Sequence, residues 1–452
     1  MRMRSVAVAA ALTLTALVLA APSGQAATDT TEAIPGGDLV STLCTPLFDG
    51  VFGTPNTEPF GPCQWDMSII HASDSGSYAV ATGEGVTVGV IDSGVQTDHP
   101  DIASNLDLDR SCSFIFTDTP TADPSEIANG DCSNKGAIED LSGHGTHTAS
   151  TIAAPINGIG IAGVAPDATI VALKACTVEG FCFADSVAAA LRYAGDQHLD
   201  VVSMSLFADP YLYFCKSEAE QRAILKELES AARYAQQRGV LIVASAGNEQ
   251  HDLHHPGLDD ISPDWPPDTA EERFVQNNCR VAPAELPGVL TVSATGPIGY
   301  PGYDLWIADY SSVGVDVAAP GGDYFRATGT VQDAVLAALP IGSAIWNGFD
   351  PLNAVFPGIT TTDGGGGYGY LNGTSMAAPH AAGVAALVVQ MHPTWGQGAV
   401  AAAVERSATH LDCPPDWVPL GPSDERTRCY GGGGYTSFFG NGLVDALGAA
   451  SS

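Results

Sequence analysis

The sequence predicts an α/β fold, a mostly parallel sheet with helices on both faces and long loop insertions. Three observations predict it. Apolar, strand-like runs recur at residues 86–91, 169–174, 201–206, 240–245 and 289–294, several of them followed by Gly or Ser. Segments of helical length and spacing stand at 142–153, 183–197, 218–238 and 375–391, the third showing the pattern most clearly. Finally, strands alternating with helices imply parallel pairing with crossovers, which puts functional residues at the carboxyl ends of the strands.

Two stretches interrupt the alternation and read as insertions. Residues 209–287 hold a helix and then a loop rich in His, Asp and Pro, while residues 321–370 end in four consecutive glycines, Gly364 to Gly367. No internal repeat is present. At the amino end, Arg2 and Arg4 precede an apolar run from Val6 to Ala20 and the small residues around Gln25-Ala26-Ala27, so residues 1–26 read as an export signal. Residues 27–62, rich in Thr, Pro and Gly, read as a short leader or amino-terminal arm.

The 452-residue chain carries 51 acidic against 17 basic residues, a net charge of −34. Such a surface repels nucleic acid and anionic lipid, and no later apolar stretch approaches the ~18 residues a membrane helix needs. The expected protein is therefore secreted, extracellular and monomeric, with neither nucleic acid nor membrane as partner. Ten cysteines, an even number in an exported chain, point to disulfides. Nearest-neighbour pairing would join Cys44 to Cys63, Cys112 to Cys132, Cys176 to Cys182, Cys215 to Cys279 and Cys413 to Cys429, a connectivity that sequence alone does not fix. No repeated C-x-x-C pattern supports a zinc site instead.

Three segments set a reactive side chain among small residues where a turn or helix begins: Val88-Gly89-Val90-Ile91-Asp92-Ser93-Gly94, Gly143-His144-Gly145-Thr146-His147-Thr148 and Asn372-Gly373-Thr374-Ser375-Met376-Ala377-Ala378-Pro379-His380. Singly, each has a bland reading. Asp92 could cap a helix or form a turn, His144 could be structural as His147 is expected to be, and Ser375 could be an N-cap. Ala377 replaces the second glycine of a G-x-S-x-G elbow, which argues against an α/β-hydrolase. Together the order Asp, His, Ser supplies a carboxylate, an imidazole and a hydroxyl, the three groups of nucleophilic acyl transfer.

On these motifs the chain resembles the subtilisin-like serine proteases over residues 63–446, from Gln64-Trp65-Asp66-Met67 to Gly440-Asn441-Gly442-Leu443-Val444-Asp445-Ala446, with residues 63–452 as the peptidase domain. The resemblance implies a serine endopeptidase with Asp92, His144 and Ser375 as triad and Asn248, in Ala244-Ser245-Ala246-Gly247-Asn248-Glu249, as an oxyanion donor. It also implies that polypeptide substrates lie extended against Ser203, Ser205, Leu206, Ala246 and Gly247. Phe207 stands where relatives commonly carry glycine, and a 36-residue leader is short for a folded inhibitory pro-domain. No cofactor is needed for the chemistry. A structural calcium is the one ion the resemblance raises, at Asp101 and Asn157 near Gly158-Ile159-Gly160-Ile161, with backbone carbonyls as further ligands. His251, His254 and His255 read as a solvated loop rather than a zinc site. Two alternatives stay open, a processing peptidase of narrow specificity and a catalytically silent, protease-shaped binding protein.

Overall fold

Strand β1 (Thr87–Asp92) occupies the middle of the chain's main sheet, and its neighbours explain its composition. A computed structural model describes residues 53–297, 306–324, 329–355, 358–414 and 428–452. Its main sheet has the order β7-β6-β5-β4-β1-β3-β2. In this order β2 is Cys112–Ser113, β3 Thr169–Lys174, β4 Val201–Met204, β5 Leu241–Ser245, β6 Val289–Gly296 and β7 Trp306–Ile307. Strand β8 (Val317–Pro320) pairs with β6 as well. Only the β6–β7 pairing is antiparallel.

Strands buried on both faces are rich in apolar side chains, and these are, with small or hydroxyl residues such as Gly89, Ser203, Thr291 and Ser293 between them. Side chains alternate between two cores: Val88, Val90, Ile170, Val201, Leu241 and Val243 join one, while Ile91, Val171, Leu173, Val202, Met204 and Ile242 join the other. Helices α2 (Ala184–Asp196) and α3 (Ala219–Gln236) cover the second core. Helices α1 (His144–Ala153), α4 (Thr374–Met391) and α5 (Gln397–Ser407) cover the first. Helix α4 is buried almost all round, as its run of Ala, Val and Leu requires. No helix among the described residues is long and apolar enough to cross a membrane.

The five strands and four helices expected from the sequence all form, with ends shifted by one or two residues. The regions read as insertions have structure of their own. Within 209–287, α3 and β5 belong to the central fold, and the remainder forms the two-stranded pairings of Tyr213–Cys215 with Cys279–Val281 and Leu258–Asp259 with Arg273–Phe274. Within 321–370, strands β9 (Val335–Ala338), β10 (Thr360–Asp363) and β11 (Gly366–Leu371) make a separate antiparallel sheet. Four of the expected disulfides form, Cys112–Cys132, Cys176–Cys182, Cys215–Cys279 and Cys413–Cys429. Cys44, the export signal and most of the leader lie outside the described residues.

The chain just ahead of the expected domain start is packed down. Asn56, Glu58 and Phe60 are buried, and the Phe60 N–H donates to Gly160 O. Just inside that start, Trp65 donates its indole N–H at 3.0 Å to the carbonyl of Ala334, the residue before β9.

Candidate active site

Asp92 is the last residue of β1, so the parallel sheet delivers it to its carboxyl edge, where it is 2% exposed. Its Oδ1 accepts the N–H of Ser93 at 2.7 Å and its Oδ2 the hydroxyl of Thr148 at 3.3 Å. His144 opens α1. The chain enters that helix through Gly143 at φ +101°, a conformation few other residues adopt, and Gly145 then presses its Cα against the Gly94 carbonyl, leaving no room for a Cβ. This close approach brings His144 Nδ1 to 2.7 Å from Asp92 Oδ1. A carboxylate can only accept, so Nδ1 carries the proton and Nε2 is left as the basic nitrogen. Burial opposes protonation of His144, but the charge and hydrogen bond of Asp92, and then the charge of Asp140, outweigh it and raise the imidazole's proton affinity.

Ser375 is the second residue of α4 and half-buried. Its hydroxyl donates to Ser205 O at 3.3 Å, and the Ser205 hydroxyl donates back to Ser375 O at 2.8 Å. The register of β1 on β4 pairs Ile91 with Met204, so Asp92, the last residue of β1, and Ser205, the first residue after β4, come next along neighbouring chain segments. One strand end thus holds His144 and its neighbour holds Ser375. Asn248 is fixed to the same helix start: its Oδ1 accepts both the N–H and the hydroxyl of Thr374, each at 2.9 Å, which leaves its NH2 as the free donor face. Thr374 Oγ1 also accepts the Gly247 N–H at 3.2 Å.

The residues expected to line the substrate fall at different depths. Ser203 lies inside β4, paired with Val90 and Val243, with its hydroxyl buried. Ser205 and Leu206 follow the end of that strand, and Ala246 and Gly247 follow β5, with the Ala246 N–H bonded to Val292 O at 3.0 Å. Phe207 packs its ring against the satellite core of Leu212, Tyr213 and Leu253. His147 is structural: wholly buried, it bonds Gly369 O through Nε2 at 3.1 Å, and burial pushes its proton affinity down to about 3. Two buried groups were not expected from the sequence. His380 lies between Met376 O (2.7 Å) and Asp66 Oδ2 (2.9 Å) within and behind the Ser375 helix. Asp140 sits beneath the entry to α1.

The residues raised for calcium do not fit it. A hard cation needs several oxygens converging on one point. Here the loop aims amide hydrogens at carboxylates instead: Gly158 N–H to Glu58 Oε2 (2.8 Å), Gly160 N–H to Asp363 Oδ2 (2.8 Å) and Ile161 N–H to Asp101 Oδ2 (2.9 Å). The Asn157 oxygen is taken by the Ile159 N–H at 2.8 Å, and Tyr368 fills the space beside Asp101 with its hydroxyl at 2.9 Å. The other Asp101 oxygen is buried without a partner, a single orphan where a cage is needed. Burial pushes this carboxyl up to about 7 against the bonds from Ile161 and Tyr368. The folded value exceeds the unfolded ~4, so this group's stabilising contribution is full below pH ~4 and is lost as pH rises through about 7. In Asp101→Asn, the fall in the urea midpoint between those pH values is expected to be shallower than in the parent protein.

The three histidines of the inserted loop do not converge on a metal. His251 Nδ1 faces the Tyr213 hydroxyl, His254 Nδ1 the Tyr430 hydroxyl, and His255 Nδ1 bonds Asp252 Oδ2 at 2.8 Å.

Comparison with known proteins finds relatives of this chain. The model of the subtilase family matches residues 83–442. Subtilisin BL of Lederbergia lenta is 28% identical over 382 residues, covering 84% of this chain and 96% of that protein. Subtilisin NAT of Bacillus subtilis subsp. natto is 30% identical over 355 residues, covering 78% of this chain and 66% of that one. Among solved structures, the epidermin leader peptide processing serine protease from Staphylococcus aureus superposes with a TM-score of 0.59 at 20% identity, over 87% of this chain and 81% of its own.

Proposed function

This chain belongs to the subtilase family and is a serine-type endopeptidase, and from that premise we propose that Ser375 is its nucleophile, with His144 as proton shuttle, Asp92 as orienting carboxylate and Asn248 as oxyanion donor. The observation that carries this reading is the β1–β4 register, which sets the Asp92–His144 pair and the Ser375–Ser205 pair on adjacent strand ends. Ser375 Oγ adds to the peptide carbonyl as His144 Nε2 takes its proton, and Asp92 stabilises the resulting imidazolium. The tetrahedral oxyanion is met by the Asn248 NH2 and by the Ser375 N–H, one of the donors a helix start leaves unpaired, at the positive end of α4. The imidazolium then protonates the leaving amine, and water, deprotonated by His144, releases the acid product from the acyl-enzyme.

The enzyme works on polypeptides outside the cell. Four disulfides and a net charge of −34 support an oxidising, extracellular setting, and the inward-facing amides of the 158–161 loop support activity without bound calcium. The solved neighbour named for leader-peptide processing, together with the structured insertions, favours one second reading, a peptidase of narrow specificity. A mixed peptide library incubated with the secreted protein plus chelator tests both. Many unrelated cuts are expected; cuts confined to one motif would establish narrow processing, and loss of all cutting on chelation would refute the calcium-free account.

A further inference from the structure

Asp140 is a second buried carboxylate at this centre, 5% exposed and sharing no bond with Ser375. Everything around its two oxygens donates. Oδ1 accepts the Ser93 hydroxyl at 2.9 Å, the Ser142 N–H at 3.1 Å and the Gly143 N–H at 2.8 Å. Oδ2 accepts the Thr146 N–H at 2.8 Å and the Thr146 hydroxyl at 2.7 Å. The donors come from two places, the residue after Asp92 and the two ends of the turn that carries His144. Ser93 completes the link, because its oxygen accepts the Gly145 N–H at 2.9 Å while its proton goes to Asp140.

We propose that Asp140 is a positioning residue for peptide hydrolysis, clamping the start of the His144 helix to the end of the Asp92 strand through Ser93. The inference rests on the triad reading above. The bonds explain the role: helix α1 has a glycine N-cap with no side chain to serve its first donors, and Asp140 serves them from four residues before the helix. An ionised carboxylate is required, since a proton on either oxygen would face donors alone. A displacement of ~1 Å at the imidazole costs on the order of a hundredfold in rate, which is what the clamp prevents.

The clamp also has an electrostatic reach. His144 is faced by Asp92 from β1, by Asp140 from the preceding turn and by His147 one turn along its own helix. Asp140 is faced in turn by Lys174 of β3, whose ammonium donates to Glu139 O at 2.6 Å and pairs with Glu126 at 2.8 Å. Burial raises the Asp140 carboxyl, while its bonds and Lys174 act the other way.

Kinetics of Asp140→Asn, Asp140→Glu and Ser93→Ala on one peptide substrate test the proposal, with folding checked by urea unfolding. Asp140→Asn is expected to lower kcat at least about tenfold with little change in KM. Its acid limb should move to lower pH, because one of the charges that favours the imidazolium is gone. Ser93→Ala, which breaks the bridge and keeps the charge, should lower kcat without moving the limb, and Asp140→Glu should restore the limb. A folded Asp140→Asn protein with kcat within about twofold of the parent and an unmoved limb overturns the proposal. If Asp140→Asn does not fold, an unchanged kcat in Ser93→Ala overturns it equally. Failure of the parent protein itself to cleave, or cleavage that survives loss of Ser375, would instead refute the triad reading on which the inference rests.

Discussion

Ser375→Ala is expected to lower kcat by about a million-fold while leaving the protein folded. The hydroxyl is half-buried and its one bond, to Ser205 O at 3.3 Å, is long, so its removal costs little stability. The Ser205 hydroxyl holds the backbone of Ser375 and does not depend on the side chain. Residual turnover should match that of a site that binds and polarises the carbonyl without attacking it, through Asn248 and the helix start. Steady-state kinetics with a urea unfolding curve for the same sample measures both quantities. A fall of less than about a hundredfold would mean that another group attacks.

Asp92→Asn should lower kcat by about ten-thousand-fold, as carboxylate-to-amide changes do in serine-protease triads. The amide has nearly the same shape, so the packing of β1 is kept. What changes is the proton. The amide offers His144 Nδ1 either an NH2, which forces the ring proton to Nε2, or an uncharged oxygen that no longer stabilises the imidazolium. Removing the carboxylate also removes the first of the charges that raise the affinity of His144, so the acid limb of the remaining activity should lie at lower pH than in the parent. A limb at unchanged pH would separate that limb from His144.

Much of this was legible in the sequence because burial on both faces forces a simple pattern. The runs that became β1, β3, β4, β5 and β6 are dominated by Val, Ile, Leu and Ala, and α3 carries its core contacts at helical spacing through Leu225, Leu228, Ala232 and Ala235. The antiparallel sheet of β9, β10 and β11 was not legible. Its strand β11 reads Gly-Gly-Tyr-Gly-Tyr-Leu, and glycine is depleted in strands, so it passed for loop; its tyrosines and its pairing with β9 make it a strand. Asp92, His144 and Ser375 were legible as candidates through the motifs around them, but the placing of the Asp92–His144 pair and of Ser375 on neighbouring chain segments was not, since it depends on the register of β1 on β4. The bonding of the loop raised for calcium was illegible for a similar reason. Which way the amides of residues 158–161 point is decided by the carboxylates of Glu58, Asp101 and Asp363, two of which lie far from the loop in sequence and outside any motif. Asp140 is one acid among many in an acidic chain, and only its five donors mark it out.

The most direct test of the central claim is the site and stoichiometry of covalent labelling by a serine-directed acylating reagent, read by peptide mass spectrometry on the parent protein and on His144→Ala. One equivalent on Ser375 in the parent, and almost none in the variant at the same pH, is the predicted result. Efficient cleavage of an unfolded polypeptide with the label on another residue, or labelling of Ser375 that is indifferent to His144, would contradict it.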